Sequence, residues 1–356
     1  MANTKLETVL TQWQNLQPLA AIDRDRLSRR FTIDFNYNSN HIEGNTLTYG
    51  QTELLLLFGK IVGEANFRDC EEMKASNVGL QMMLVESSDK QLPLTQNFIR
   101  TLHRTLLRED YTVYRMLPGG VQTSYVIHAG QYKTRPNSVI TRYGDRFEYA
   151  SPEETPALMA DLVDWYNHAE QEGKLSPIDL AILFHYRYIR IHPFEDGNGR
   201  IARLMVNYIL SRHGYPMIVV RSRLKQDYLE ALHRADLIVG FTPADGAHAS
   251  LKDIRPFHKY MVNLICHEIE NDVLFITEKS QDVWWYDGER IAFRTPSYGK
   301  ILQELRREPK ATLAYLQEEI GINRSALQKL LQTLLDKHYV ERDADGSWRV
   351  FITPSM

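Results

Sequence analysis

The sequence is decided by one stretch: His192-Pro193-Phe194-Glu195-Asp196-Gly197-Asn198-Gly199-Arg200-Ile201-Ala202-Arg203. Residues 176–190 before it and 201–213 after it carry helical patterns. The downstream segment is apolar nearly all round, with Ile201, Leu204, Met205, Val206, Tyr208, Ile209 and Leu210, as in a buried helix. Arg200, Arg203 and Asn207 interrupt it at i, i+3 and i+7 and so share one face. Buried charge needs a partner.

Gly197-Asn198-Gly199 offers one. Glycines let successive backbone N–H groups converge, and a helix N-terminus adds free N–H groups and its dipole. Two arginines on the first turn add bidentate donors that suit phosphate. Asp196 supplies a hard oxygen ligand of the kind Mg²⁺ takes. His192 titrates near neutrality and can accept a proton, while Phe194 reads as an anchor of the loop. Taken singly, a histidine at a helix end, a Gly-Asn-Gly turn or two arginines are commonplace. Their conjunction within twelve residues describes a polyphosphate site. It is neither a P-loop nor a dinucleotide fingerprint, because Gly-x-x-x-x-Gly-Lys-[Ser/Thr] is absent and the loop follows a helix.

Residues 192–203 resemble the Fic motif, H-x-F-x-[D/E]-G-N-G-R-x-x-R, at every specified position. Weaker likeness extends over residues 92–262. The resemblance implies a mainly α fold, a helical bundle with a β-hairpin flap. It implies transfer of AMP from ATP to a Tyr, Thr or Ser hydroxyl of a target protein, with pyrophosphate leaving. It casts His192 as the base and Asp196 as the Mg²⁺ ligand. Gly197, Asn198 and Gly199 would cradle phosphates, Arg200 would stabilise the leaving pyrophosphate, and Arg203 would bind the γ-phosphate. In-line attack at phosphorus asks mainly for positioning and charge stabilisation, which this residue set can supply. Gly199 favours nucleotidyl transfer, since the kinase-like branch of the superfamily carries Lys there.

Ser39-Asn40-His41-Ile42-Glu43-Gly44 resembles the family's inhibitory motif, [S/T]-x-x-x-E-[G/N]. By that likeness Glu43, with Ser39, would engage Arg203 and misalign ATP. Tyr228 and Asp236 would lie on the helix that closes the nucleoside pocket. Relatives often have Asn at the Asp236 position, which leaves base preference open.

The remaining chain is organised around this site. Residues 25–38, 52–59, 69–85 and 155–172 read as helices, and Thr95 as the N-cap of another. Residues 119–152 hold β-formers, with a hairpin over 134–149 turned at Gly144-Asp145 that could pair with an extended target segment. From 298 onward come helices at 298–308, 313–319 and 323–338, then strands at 339–342 and 348–352 turned at Asp345-Gly346. Three helices and a hairpin are the pattern of a small winged helix-turn-helix domain. The expected division is 1–91 for the inhibitory region, 92–275 for the catalytic core and 276–356 for the winged helix.

Composition bounds the alternatives. The chain has 356 residues and a net charge of −3, enough for two or three domains. Two cysteines, Cys70 and Cys266, cannot build a disulfide framework and fit a cytoplasmic protein. No apolar run is long enough for a membrane span. From residue 276 onward, twelve Lys/Arg balance twelve Asp/Glu, so DNA binding by Arg324 and Lys329 on the third helix is weakly supported. The rival reading is a nucleotide-sensing transcription regulator. Other readings keep the fold but use UTP or a CDP-alcohol as donor, or remove AMP. A homodimer and self-modification are also compatible with the resemblance.

Overall fold

The computed structural model describes all residues except 1, 62, 117–119, 121, 141–145, 281, 309 and 351–356. The chain begins with helix α1 (Ala2–Asn15), then α2 (Ala21–Ile42), α3 (Tyr49–Phe58), α4 (Phe67–Ser88) and α5 (Gln96–Leu107). Thr48 and Gln51 close α3 with a capping box, and Thr95 accepts from the Phe98 N–H as the N-cap of α5. Two antiparallel hairpins follow: β1 (Tyr111–Met116) with β2 (Gln122–Ile127), and β3 (Ser138–Ile140) with β4 (Arg146–Glu148). Val139 lies opposite Phe147, so the expected hairpin forms; its expected turn at Gly144-Asp145 lies outside the described residues.

Next come α6 (Thr155–Glu172), α7 (Pro177–Ile191), α8 (Asn198–Arg212), α9 (Lys225–Val239), α10 (Pro243–Ala247) and α11 (Arg255–Thr277). Helix α7 starts at Ser176, whose hydroxyl accepts from the Asp179 N–H. It stops at His192 because Pro193 excludes helical backbone from the residue before it. His192 instead takes φ +50°, a left-handed conformation rare outside glycine. Helix α8 sits at the centre of the main core, with Ile201, Met205 and Ile209 fully buried. Each such side chain contributes about 1.5–3 kcal/mol of burial. Among its polar exceptions, Asn207 is satisfied by the Ile218 main chain, N–H and C=O alike.

The C-terminal block holds β5 (Val283–Tyr286), β6 (Glu289–Ala292), α12 (Pro296–Arg307), α13 (Leu313–Ile320), α14 (Arg324–Asp336), β7 (Val340–Arg342) and β8 (Trp348–Val350). The winged-helix order of three helices and a hairpin is therefore present. The β5–β6 hairpin ahead of it falls where the sequence suggested only a boundary. It joins Trp284 and Tyr286 to a second core that also takes Ile33, Tyr37 and Tyr49. Thus α2 touches both cores, with Phe31, Phe35 and Ile42 in the first and Ile33 and Tyr37 in the second. A buried ion cluster reinforces the seam. Arg221 donates to Glu268 on α11 (2.6 and 3.0 Å), Asp34 on α2 (2.9 Å) and Asp287 in the β5–β6 turn (3.2 Å). No helix among the described residues is long and apolar enough to cross a membrane.

Candidate active site

The site is built where α7 ends and α8 begins. Gly197 caps α8 at φ +75°, and no side chain caps that end, so the first-turn N–H groups face the loop. Arg200 and Arg203 rise from this turn and are buried. Arg200 lies 3.5 Å from Asp196 Oδ2. Arg203 reaches across to α2: its Nε donates to Ser39 Oγ (3.0 Å), and its Nη2 donates to Ser39 O (2.8 Å) and Glu43 Oε1 (2.6 Å). Lys225 Nζ donates to Ile42 O at 2.6 Å, which caps the end of α2 beside Glu43. Gly199 is needed here for space, because a Cβ would overlap Glu43 Oε1.

His192 is enclosed. Tyr149 stacks on its ring at 4.0 Å. Its Nδ1 lies 2.8 Å from Asn137 Nδ2 and 3.1 Å from Asn198 Nδ2. Burial, and then the nearby Lys133 ammonium, hold its pKa down to about 3, so the ring is neutral. Asn198 clamps the loop by accepting from the Phe194 N–H and donating to Phe194 O.

Asp196 points its carboxylate at three donors. The Gly197 N–H reaches Oδ1 (2.7 Å), the Tyr111 hydroxyl donates to Oδ2 (2.6 Å), and Arg200 approaches Oδ2. Arg200 and these hydrogen bonds hold the carboxyl pKa low against the opposing effect of burial. A single ionised carboxylate beside an uncapped helix N-terminus fits Mg²⁺, which keeps several waters and takes substrate phosphates. No group of three or more His, Cys, Asp or Glu able to hold a metal by themselves occurs among the described residues.

Tyr228 and Asp236 both lie on α9. The Tyr228 hydroxyl meets His185 Nε2 at 2.8 Å. Asp236 accepts from the Tyr186 hydroxyl (2.7 Å) and pairs with fully buried Arg190 (3.2 Å).

Five contributors carried no sequence signal: His103, Tyr111, Lys133, Asn137 and Tyr149. His103 accepts at Nδ1 from the Gly130 N–H (2.8 Å), donates from Nε2 to Asp196 O (3.0 Å) and stacks on Phe194 at 3.7 Å. Each reaches the loop from a distant segment. A buried histidine or lysine is invisible to periodicity when its neighbours in sequence are ordinary.

This arrangement is a helix N-terminus that presents two arginines, an acidic ligand and a histidine around a Gly-Asn-Gly turn. Residues 93–210 match the Fic/DOC family model, and residues 299–341 match a winged helix-turn-helix DNA-binding model. The chain belongs to the Fic/DOC family. It is 52% identical to a Fic domain containing signaling protein from Bacteroides thetaiotaomicron, with a TM-score of 0.72 over 78% of this chain and 98% of that one. It is 29% identical over 301 residues to the protein adenylyltransferase fic-1 of Caenorhabditis elegans, covering 84% of this chain and 52% of that protein. The solved structure of residues 134–508 of the worm protein is similar at a TM-score of 0.60. The chain spans about half the length of the curated relatives it matches.

Proposed function

We propose that this chain transfers AMP from ATP to a hydroxyl of a target protein, releasing pyrophosphate, and that Glu43 restrains it. The carrying observation is the uncapped N-terminus of α8 with Arg200 and Arg203 on its first turn. Gly197, Asn198 and Gly199 would cradle phosphates, and Arg200 would stabilise charge on the departing pyrophosphate. Mg²⁺ at Asp196 would neutralise phosphate charge. His192 would accept the proton of the Tyr, Thr or Ser hydroxyl. The left-handed backbone at His192 and the Tyr149 stack support a fixed base. Tyr228 and Asp236 would border the nucleoside.

The pair between Glu43 and Arg203 supports the restraint, since it occupies the guanidinium that a γ-phosphate would need. In this reading 1–91 carries the brake, 92–275 the chemistry and 276–356 the winged helix. The named activity of the worm relative and the shared fold support the same reaction.

The test is label transfer. Glu43→Gly protein given Mg-ATP should take up label from the α-phosphate and none from the γ-phosphate. Incorporation of the γ-label, or of neither label with any protein hydroxyl present, would contradict the proposal.

A second reading gives 276–356 a duplex to bind. Arg324, Gln328 and Lys329 are all exposed on α14 and favour it. A salt-dependent shift of duplex DNA, lost in Arg324→Ala/Lys329→Ala protein, would support it.

A further inference from the structure

Lys133 is an unusual residue to find 3% exposed. Its ammonium has no carboxylate partner among the ion pairs of the described residues. It donates instead to Ile191 O (3.1 Å), His192 O (2.9 Å) and Asn137 Oδ1 (2.9 Å). Its own N–H donates to Pro193 O at 2.9 Å. The first two acceptors are carbonyls at the C-terminal end of α7, where a cation is favourable. Burial pulls its pKa down to about 7.

Asn137 stands next in this chain of contacts. Its oxygen accepts from Lys133, which fixes which end of the amide is nitrogen. That nitrogen donates to Phe194 O (3.0 Å) and faces His192 Nδ1 (2.8 Å). Asn198 is oriented independently, because its oxygen accepts from the Phe194 N–H. Its nitrogen also faces His192 Nδ1. Two amide nitrogens, each oriented by a separate partner, can only donate. Nδ1 must therefore accept, and the proton of the neutral ring must sit on Nε2.

We propose that Lys133 and Asn137 are positioning residues for His192: Lys133 orients the Asn137 amide, and that amide holds the imidazole as the Nε2–H tautomer. The only lone pair of the ring available to a proton is then Nδ1, and Asn137 and Asn198 cover it. Asn137 immediately precedes β3, so the same short segment joins the hairpin to the base. On the reading of His192 as a base, a target hydroxyl must displace both the Asn137 and the Asn198 amide to deliver its proton to Nδ1. Charged and titratable groups around the ring are Lys133 from this segment, Asp196 from the loop and Tyr149 after β4. None of them donates to Nδ1.

The tautomer is directly measurable without any turnover, which separates this inference from the proposed reaction. Protein carrying ¹⁵N-histidine is examined by NMR near pH 7.5, with His192 assigned by its loss in His192→Gln. Wild type should show an imine-type Nδ1 and a pyrrole-type Nε2, favoured by about tenfold or more, as expected for one hydrogen bond. Asn137→Asp replaces the donor by an acceptor at the same size and should shift the ratio severalfold toward Nδ1–H, with the Asn198 amide still opposing it. Lys133→Met, which keeps the stem but removes one of the two partners that orient the Asn137 amide, the other being Phe194 O, should shift the ratio in the same direction by a smaller amount. A pyrrole-type Nδ1 in wild type, or an unchanged ratio in both variants, would overturn the inference. A pyrrole-type Nδ1 in wild type overturns the inference whether or not either variant folds.

Discussion

Glu43 Oε1 lies 2.6 Å from Arg203 Nη2, on the nitrogen that Ser39 O also holds at 2.8 Å. The arginine is buried and the carboxylate half-exposed, so solvent screens the pair from one side. Removing Glu43 leaves Arg203 tied to Ser39 and beside the Tyr228 hydroxyl. Glu43→Gly should raise adenylyl transfer by about ten- to a hundredfold, the range of about 1.4–2.8 kcal/mol in productive ATP binding. Stability should fall by no more than about 1 kcal/mol, as for exposed pairs. Initial rates and a denaturant midpoint measure both.

The Tyr111 hydroxyl donates to Asp196 Oδ2 at 2.6 Å, the oxygen a cation would take. Tyr111→Phe should free that oxygen and tighten Mn²⁺ binding severalfold, since a hydrogen bond to a charged group is worth about 1.5–3 kcal/mol. An electron paramagnetic resonance titration of free Mn²⁺ against protein reads this directly. Weaker binding in the variant would mean that Tyr111 aims Asp196 rather than occupying it.

Three histidines are held neutral by burial: His103 with pKa about 4, and His185 and His192 each about 3. The unfolded chain binds protons to all three near pH 6.5, before the folded chain does. Stability is therefore full above pH 6.5 and is lost as pH falls toward 3–4. Between pH 6.5 and 5 each histidine removes up to about 2 kcal/mol, at about 1.4 kcal/mol per unit. Urea midpoints at pH 7.5 and 5 should differ strongly, and His103→Gln should reduce the difference. A pH-independent midpoint would contradict neutral burial.

Arg221 pairs with Asp34, Glu268 and Asp287 at once, at 2% side-chain exposure. Arg221→Met would leave Glu268 without its cation and leave Asp34 and Asp287 only the more distant Arg30 and Arg223. The expected loss is about 3–5 kcal/mol, as for breaking a buried pair from one side. The same change should loosen the β5–β6 turn, where Gly288 packs directly on the guanidinium. Hydrogen exchange at Asn38, whose amide holds Asp287 at 2.6 Å, should quicken first.

Most of the helices were legible because their signals are local. Thr95 and Ser176 announce α5 and α7 by capping, Pro193 ends α7, and the apolar run after Arg200 announces α8 as buried. Strand β1 was not legible: most of its residues are exposed, so alternation leaves little trace. The β5–β6 hairpin carried an Asp287-Gly288 turn signal, yet its neutral surroundings read as a boundary rather than a structural element. The motif residues were legible as a set because twelve consecutive positions carry them. Lys133, Asn137, Tyr111 and His103 were not, because only tertiary packing brings them to the loop.

The proposed reaction is a hydroxyl-directed AMP transfer that His192 enables and Glu43 restrains. Intact-mass analysis after incubation with Mg-ATP tests it most directly, on wild type, Glu43→Gly and Glu43→Gly/His192→Ala together with a lysate-derived or self-supplied protein hydroxyl. The account predicts an adenylyl adduct that rises from wild type to Glu43→Gly and vanishes in the double variant. An adduct that persists without His192, or is no greater without Glu43, would contradict it.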